Sequence, residues 1–154
     1  YIIKRRTKSI TKYTLFNHFP CNYHFIINDA TGNSVAVEFD CEDPNRKMVV
    51  TPTQAITNFF VMHIDKVDLN SDNGMYGTGK SRKRYEAMLD VLEDNENAVD
   101  MDVAWEALRA AAQEPDPNDI TSNTQWSIIF NNTDGTAEVA IRRHWDDKFD
   151  FKID

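Results

Sequence analysis

The 154-residue chain predicts an α+β domain with a mostly antiparallel sheet. Three observations carry this. Strand-like segments with turn signals fill residues 23–51, two helical stretches with apolar stripes fill 82–113, and β patterning returns from Gln125 onward. A β-rich half, two helices and a second β-rich half give the layered order in which helices cover a sheet face.

Residues 9–18 predict a short helix that ends before Pro20. Tyr23 to Asn28 is aromatic and β-branched, a strand signal. Ala30-Thr31-Gly32-Asn33 reads as a tight turn in which Gly32 takes a positive φ, and Ser34-Val35-Ala36-Val37-Glu38-Phe39 alternates as the return strand of a hairpin. Cys41 to Arg46 turns around Pro44, Lys47 to Thr51 gives a third strand, and Ala55 to Met62 a fourth. The stretch 63–80 is polar and holds three of the five glycines, the pattern of a long mobile loop or lid.

Arg82 to Leu92 is helical, with Tyr85, Met88, Leu89 and Leu92 at i, i+3, i+4 and i+7. Asp100 caps a second helix, Met101 to Gln113, whose inner face carries Ala104, Trp105, Leu108 and Ala111; Pro115 and Pro117 stop it. Gln125 to Phe130 and Thr136 to Arg143 flank the loop Asn131-Asn132-Thr133-Asp134-Gly135, and Phe149 to Ile153 adds a last strand. The length suits one domain over 1–154, with no internal repeat.

Apolar residues make up 41% and charged residues 27%, an ordinary globular balance. A net charge of −8 argues against nucleic acid as a partner, although Lys4, Arg5, Arg6, Lys8 and Lys12 make the start basic. No apolar run approaches membrane-spanning length and Tyr1-Ile2-Ile3 is no signal peptide; a soluble protein is expected, its compartment unknown and the cytoplasm slightly favoured. The lack of an initiator Met fits a fragment, a processed subunit or a trimmed chain.

Three motifs stand in a fixed order: Asp29-Ala30-Thr31-Gly32-Asn33-Ser34-Val35-Ala36-Val37-Glu38, then Ile56-Thr57-Asn58-Phe59, then Ser81-Arg82-Lys83-Arg84-Tyr85 opening a helix. Thr124-Gln125-Trp126-Ser127 follows later. From about Phe19 onward this series resembles the C-terminal part of the choloylglycine hydrolase and acyl-coenzyme A:6-aminopenicillanate acyltransferase group. Those are N-terminal-nucleophile amide hydrolases and acyltransferases. The resemblance implies an αββα sandwich, present in part, and a full enzyme that cleaves a linear amide through an acyl-cysteine with its α-amine as base. It implies a small acyl amide as substrate, no cofactor, and catalytic roles for Asn58 and Arg84. The family's cysteine, and its early Arg and Asp, precede the motifs found here, so the isolated chain is expected to be inactive. It would lean on a missing N-terminal segment or subunit, or on a homo-oligomer.

The chemistry of the two residues fits those roles. An Asn NH₂ can donate to the oxyanion of a tetrahedral intermediate, and removing one such donor costs about 10²- to 10³-fold in rate. A guanidinium can lower a thiol pKa and hold a carboxylate bidentately. Each also has an ordinary reading, Asn58 bonding turn backbone and Arg84 solvated on a helix that Ser81 caps. Three successive cations at a helix N-terminus oppose the helix dipole, a local violation of the sort found at functional sites.

Gly74-Met75-Tyr76-Gly77-Thr78-Gly79-Lys80-Ser81 also satisfies the phosphate-binding pattern G-x-x-x-x-G-K-[ST]. Its context does not, because the polar run Asp68-Leu69-Asn70-Ser71-Asp72-Asn73 stands where a buried parallel strand is needed. Cys21 and Cys41 form no disulfide framework, and neither they nor His18, His24, His63 and His144 show metal-ligand spacing. Asn131-Asn132-Thr133 is a glycosylation sequon. An amidase or acyltransferase segment is the leading reading. Rival classes are a non-catalytic binding or oligomerisation module on the same scaffold and a nucleotide-binding protein.

Overall fold

Phe25–Asn28 (β1), Ser34–Phe39 (β2) and Met48–Pro52 (β3) form an antiparallel sheet in the order β1-β2-β3. This is the arrangement in a computed structural model of the protein, which describes residues 23–29, 32–96, 99–119 and 121–152. The expected helix over 9–18, the basic start, His18 and Cys21 lie outside the described residues. The chain divides into two compact units, one running to Tyr85 and the other starting at Glu86.

In the first unit the register pairs Phe25 with Val37, and Val37 with Val50. Gly32 takes φ +85°, as the turn reading required. All six residues of β2 are buried, so the central strand is covered on both faces. Side chains alternate, and one face carries the apolar row Val35, Val37 and Phe39 while the other carries Ser34, Ala36 and Glu38.

The expected fourth strand over Ala55 to Met62 does not form. Its apolar residues are buried, with Phe59 4%, Phe60 6% and Val61 5% exposed, but only one isolated bridge, Phe59 to Gly77, replaces a ladder. The chain then enters a 3₁₀ helix, Val61–Lys66, packed against β2 and β3. The cause is the Glu38 carboxylate, which accepts from the first two amides of that turn and closes off strand pairing. The long loop is correspondingly shorter, because its first residues are helical and Val67, 4% exposed, anchors the remainder.

Gly79–Asp94 (α1) begins three residues earlier than the Arg82 start expected, and its cap is Thr78 rather than Ser81. The Thr78 hydroxyl accepts from the Ser81 amide at 3.1 Å. Tyr85 is buried, edge-on to Phe59 at 5.2 Å between ring centres, with its hydroxyl 2.9 Å from Thr53 Oγ1.

In the second unit Met101–Ala110 (α2) is capped by Asp100, whose carboxylate accepts from the amides of Asp102 and Val103 at 3.0 Å each. Trp126–Asn131 (β4), Thr136–Ile141 (β5) and Lys148–Lys152 (β6) make a second antiparallel sheet in the order β4-β5-β6. Trp105 of α2 is 2% exposed and donates through Nε1 to Glu138 at 2.7 Å. That bond places α2 on the Ser127, Ile129, Glu138 and Ala140 face. The pairs Trp126 with Ile141, Phe130 with Ala137, Ala137 with Phe151 and Val139 with Phe149 share the opposite face. Trp126, Phe130, Ile141, Phe149 and Phe151 are all exposed there. Among the described residues no helix is long and apolar enough to cross a membrane. The fold is α+β with two antiparallel three-stranded sheets.

Candidate functional site

The three early motifs converge in the first unit. Thr57 Oγ1 donates to the Ser81 carbonyl at 2.7 Å in a buried bond, which ties the second motif to the start of the third. Tyr85 packs on Phe59 across the same junction. Glu38, the last residue of the first motif, is fully buried and accepts from the Val61 and Met62 amides at 2.8 Å each, just beyond Phe60. The second and third motifs are thus bonded directly, and the first reaches the turn that follows the second, with 23 to 24 residues between the bonded pairs.

A cleft of about 390 Å³ opens at this junction, lined by Tyr23, His24, Asn58, Phe59, Phe60 and the Gly74 to Gly77 segment. Its two walls are joined by the bridge from Phe59 to Gly77 and by the Phe60 amide donating to the Tyr76 carbonyl at 2.7 Å. Gly77 has φ +128°, and a Cβ there would lie 2.2 Å from Phe59 Cβ, so only glycine lets the walls approach. His24 Nδ1 lies 3.2 Å from Glu38 Oε1, which orients the ring at the cleft.

Arg84 reaches Asn58, which lines this cleft. Arg84 Nη1 donates to Asn58 Oδ1 at 3.4 Å, across 26 residues of sequence. That contact uses the amide oxygen of Asn58 as acceptor, and an Asn side chain carries two N–H donors besides. Burial pushes the pKa of Arg84 down, a cost that falls on a group standing beside the cleft.

Three of the phosphate-loop amides are engaged within the fold. The Gly77 amide bonds the Gly74 carbonyl at 3.3 Å, the Gly79 amide bonds the Ser71 carbonyl at 2.8 Å, and the Ser81 amide bonds Thr78 Oγ1. Turns and irregular chain, not a strand, lead over residues 67–73 into Gly74, and Lys80 is exposed on the first turn of α1.

A second polar cluster was not legible in the sequence. Asp40 and Cys41, at the end of β2, come together with His63 of the 3₁₀ helix, and their ligand atoms all lie within 4.8 Å of one another. The sequence reading placed neither cysteine in a metal-ligand cluster; in the structure Cys41 joins residues that no local spacing relates to it. His63 Nε2 is 3.0 Å from Asp40 Oδ1. The Glu42 amide, with His63 nearby, holds the Asp40 carboxyl below its ordinary range, while burial pushes the Cys41 thiol up. Beside it, Lys66 lowers Glu42, Glu42 in turn raises Lys66, and the Tyr76 hydroxyl donates to Glu42 at 2.5 Å. His144 is exposed.

Comparison with protein-family models, with curated proteins and with solved structures gives no match.

Proposed function

We propose that the first unit carries the oxyanion half of the active site of a choloylglycine-hydrolase-like, N-terminal-nucleophile amidase or acyltransferase. The observation that carries the reading is the contact of Arg84 with Asn58, a residue that lines the cleft. The acyl-cysteine chemistry requires this of two residues so far apart in sequence, because an oxyanion donor and a tuning cation must both reach the same acyl group.

On this reading Asn58 donates its NH₂ to the oxygen that becomes negative, and Arg84 fixes that amide and supplies positive charge. The nucleophile and its α-amine would come from the remainder of such an enzyme. The fold would be the αββα sandwich, with the exposed apolar face of β4-β5-β6 packed in a further layer. The five large side chains exposed on the face opposite α2 support that last element. The same face supports the second reading, an association module on this scaffold.

The test is turnover of simple acyl amides such as penicillin V or conjugated bile acids. The 154-residue chain alone is expected to be inactive, and a form carrying a cysteine-first segment upstream is expected to be active. Turnover by the chain alone that survives combined Cys21→Ala and Cys41→Ala replacement would contradict the proposal.

A further inference from the structure

The cluster at the end of β2 combines three chemically different ligands, a carboxylate (Asp40), a thiol (Cys41) and an imidazole (His63). Zinc and its neighbours are bound by this mixture, with metal–ligand distances of about 2.0–2.3 Å. Those bond lengths set ligand–ligand separations of about 3.3–3.7 Å in a tetrahedral site. The Asp40–His63 pair is at 3.0 Å and the whole set lies within 4.8 Å, close to the separations such a site needs.

The ligands are held from the backbone. Asp40 Oδ1 accepts from the Glu42 amide at 2.9 Å, and the Asp40 amide donates to the Lys47 carbonyl at 2.9 Å across the β2–β3 turn. His63 is 8% exposed, its amide donates to the Phe60 carbonyl, and its ring lies between those of Phe60 and Tyr76. Asp40 is 23% exposed, which leaves one side open to a water or an exogenous fourth ligand. The adjacent Glu42 is engaged by Lys66 and Tyr76 and does not compete for the position.

We propose that Asp40, Cys41 and His63 form a three-ligand, thiolate-containing site for a late first-row divalent ion, zinc above all. The site stands apart from the amidase reading and uses none of its residues. Three protein ligands with one open position match the stoichiometry of reactive rather than purely structural zinc sites. A soft thiolate beside an imidazole excludes magnesium and calcium as occupants.

Cobalt(II) is the probe, added alone to the metal-free 154-residue chain. Binding of one ion per chain is expected, with a near-ultraviolet thiolate-to-cobalt charge-transfer band and displacement of the cobalt by zinc. Cys41→Ser should abolish the band and weaken zinc binding by more than about tenfold, since loss of a direct ligand costs at least as much as loss of an outer-shell partner. Cys21→Ser should leave both unchanged. Circular dichroism checks that each variant is folded. X-ray absorption on the zinc-loaded wild-type chain reads the ligand set with no mutation at all, with one sulfur and lighter N/O neighbours expected. A missing charge-transfer band, a band that follows Cys21, a band unchanged in both Asp40→Ala and His63→Gln, or a zinc shell without sulfur would each overturn the proposal.

Discussion

Glu38→Ala is expected to be among the most damaging single changes in the first unit. The carboxylate is fully buried and accepts two backbone amides, Val61 and Met62, at 2.8 Å each. A hydrogen bond to a charged group is worth about 1.5–3 kcal/mol, so two sum to about 3–6 kcal/mol before relaxation. Native domains are stable by about 5–15 kcal/mol, so the loss is a large share of the whole. Glu38→Gln keeps one acceptor oxygen and turns an NH₂ toward the other amide, which predicts about half the loss. Equilibrium urea denaturation of the wild type and both variants gives the comparison, with hydrogen exchange at Val61 and Met62 as the local readout. Those amides should lose protection first. A Glu38→Ala variant within about 1 kcal/mol of wild type, with both amides still protected, would refute the claim that this carboxylate sets the start of the 3₁₀ helix and holds the cleft wall.

Three further outcomes follow from the same geometry. Gly77→Ala must relieve a 2.2 Å approach to Phe59 Cβ at a positive φ, and a loss of about 1–3 kcal/mol in thermal or urea unfolding is expected; an unchanged midpoint would contradict the close joining of the cleft walls. Asp100→Ala removes the acceptor for two α2 amides and should cost about 0.5–2 kcal/mol, read by the same denaturation, whereas Asp100→Ser should restore most of it. Glu138 has a pKa lowered from 4.5 by the Trp105 indole and Lys148, so its stabilisation is full above that value and fades as the pH falls through the lower folded-state pKa; Glu138→Gln should flatten the acid limb of the stability curve, and an unaltered limb would contradict the bond.

The first hairpin and α2 were readable because their signals are local. Ser34 to Phe39 alternates, Gly32 takes the turn conformation, and Asp100 precedes a helical stripe. The segment after Ala55 was not, because a short apolar run looks the same whether it pairs as a strand or is buried without pairing. What decided it was a carboxylate from Glu38, 23 residues away from Val61. The same limit hid most of the site. Asn58 and Arg84 were named through the family resemblance, while His24 and Glu38 entered through contacts that no spacing rule encodes. An acid on the covered strand β2 was the available signal, since a buried carboxylate must find donors. The Asp40, Cys41 and His63 cluster had no such signal at all, because 23 residues separate Asp40 from His63.

The central claim is that Asn58 presents its amide to a developing oxyanion while Arg84 holds it in place. The most direct measurement is steady-state amide hydrolysis by a form carrying the cysteine-first segment, comparing wild type with Asn58→Ala. The account predicts a fall in kcat of about 10²- to 10³-fold with KM little changed, because the donor acts mainly in the transition state. An unchanged kcat, or a loss carried by KM alone, would contradict it.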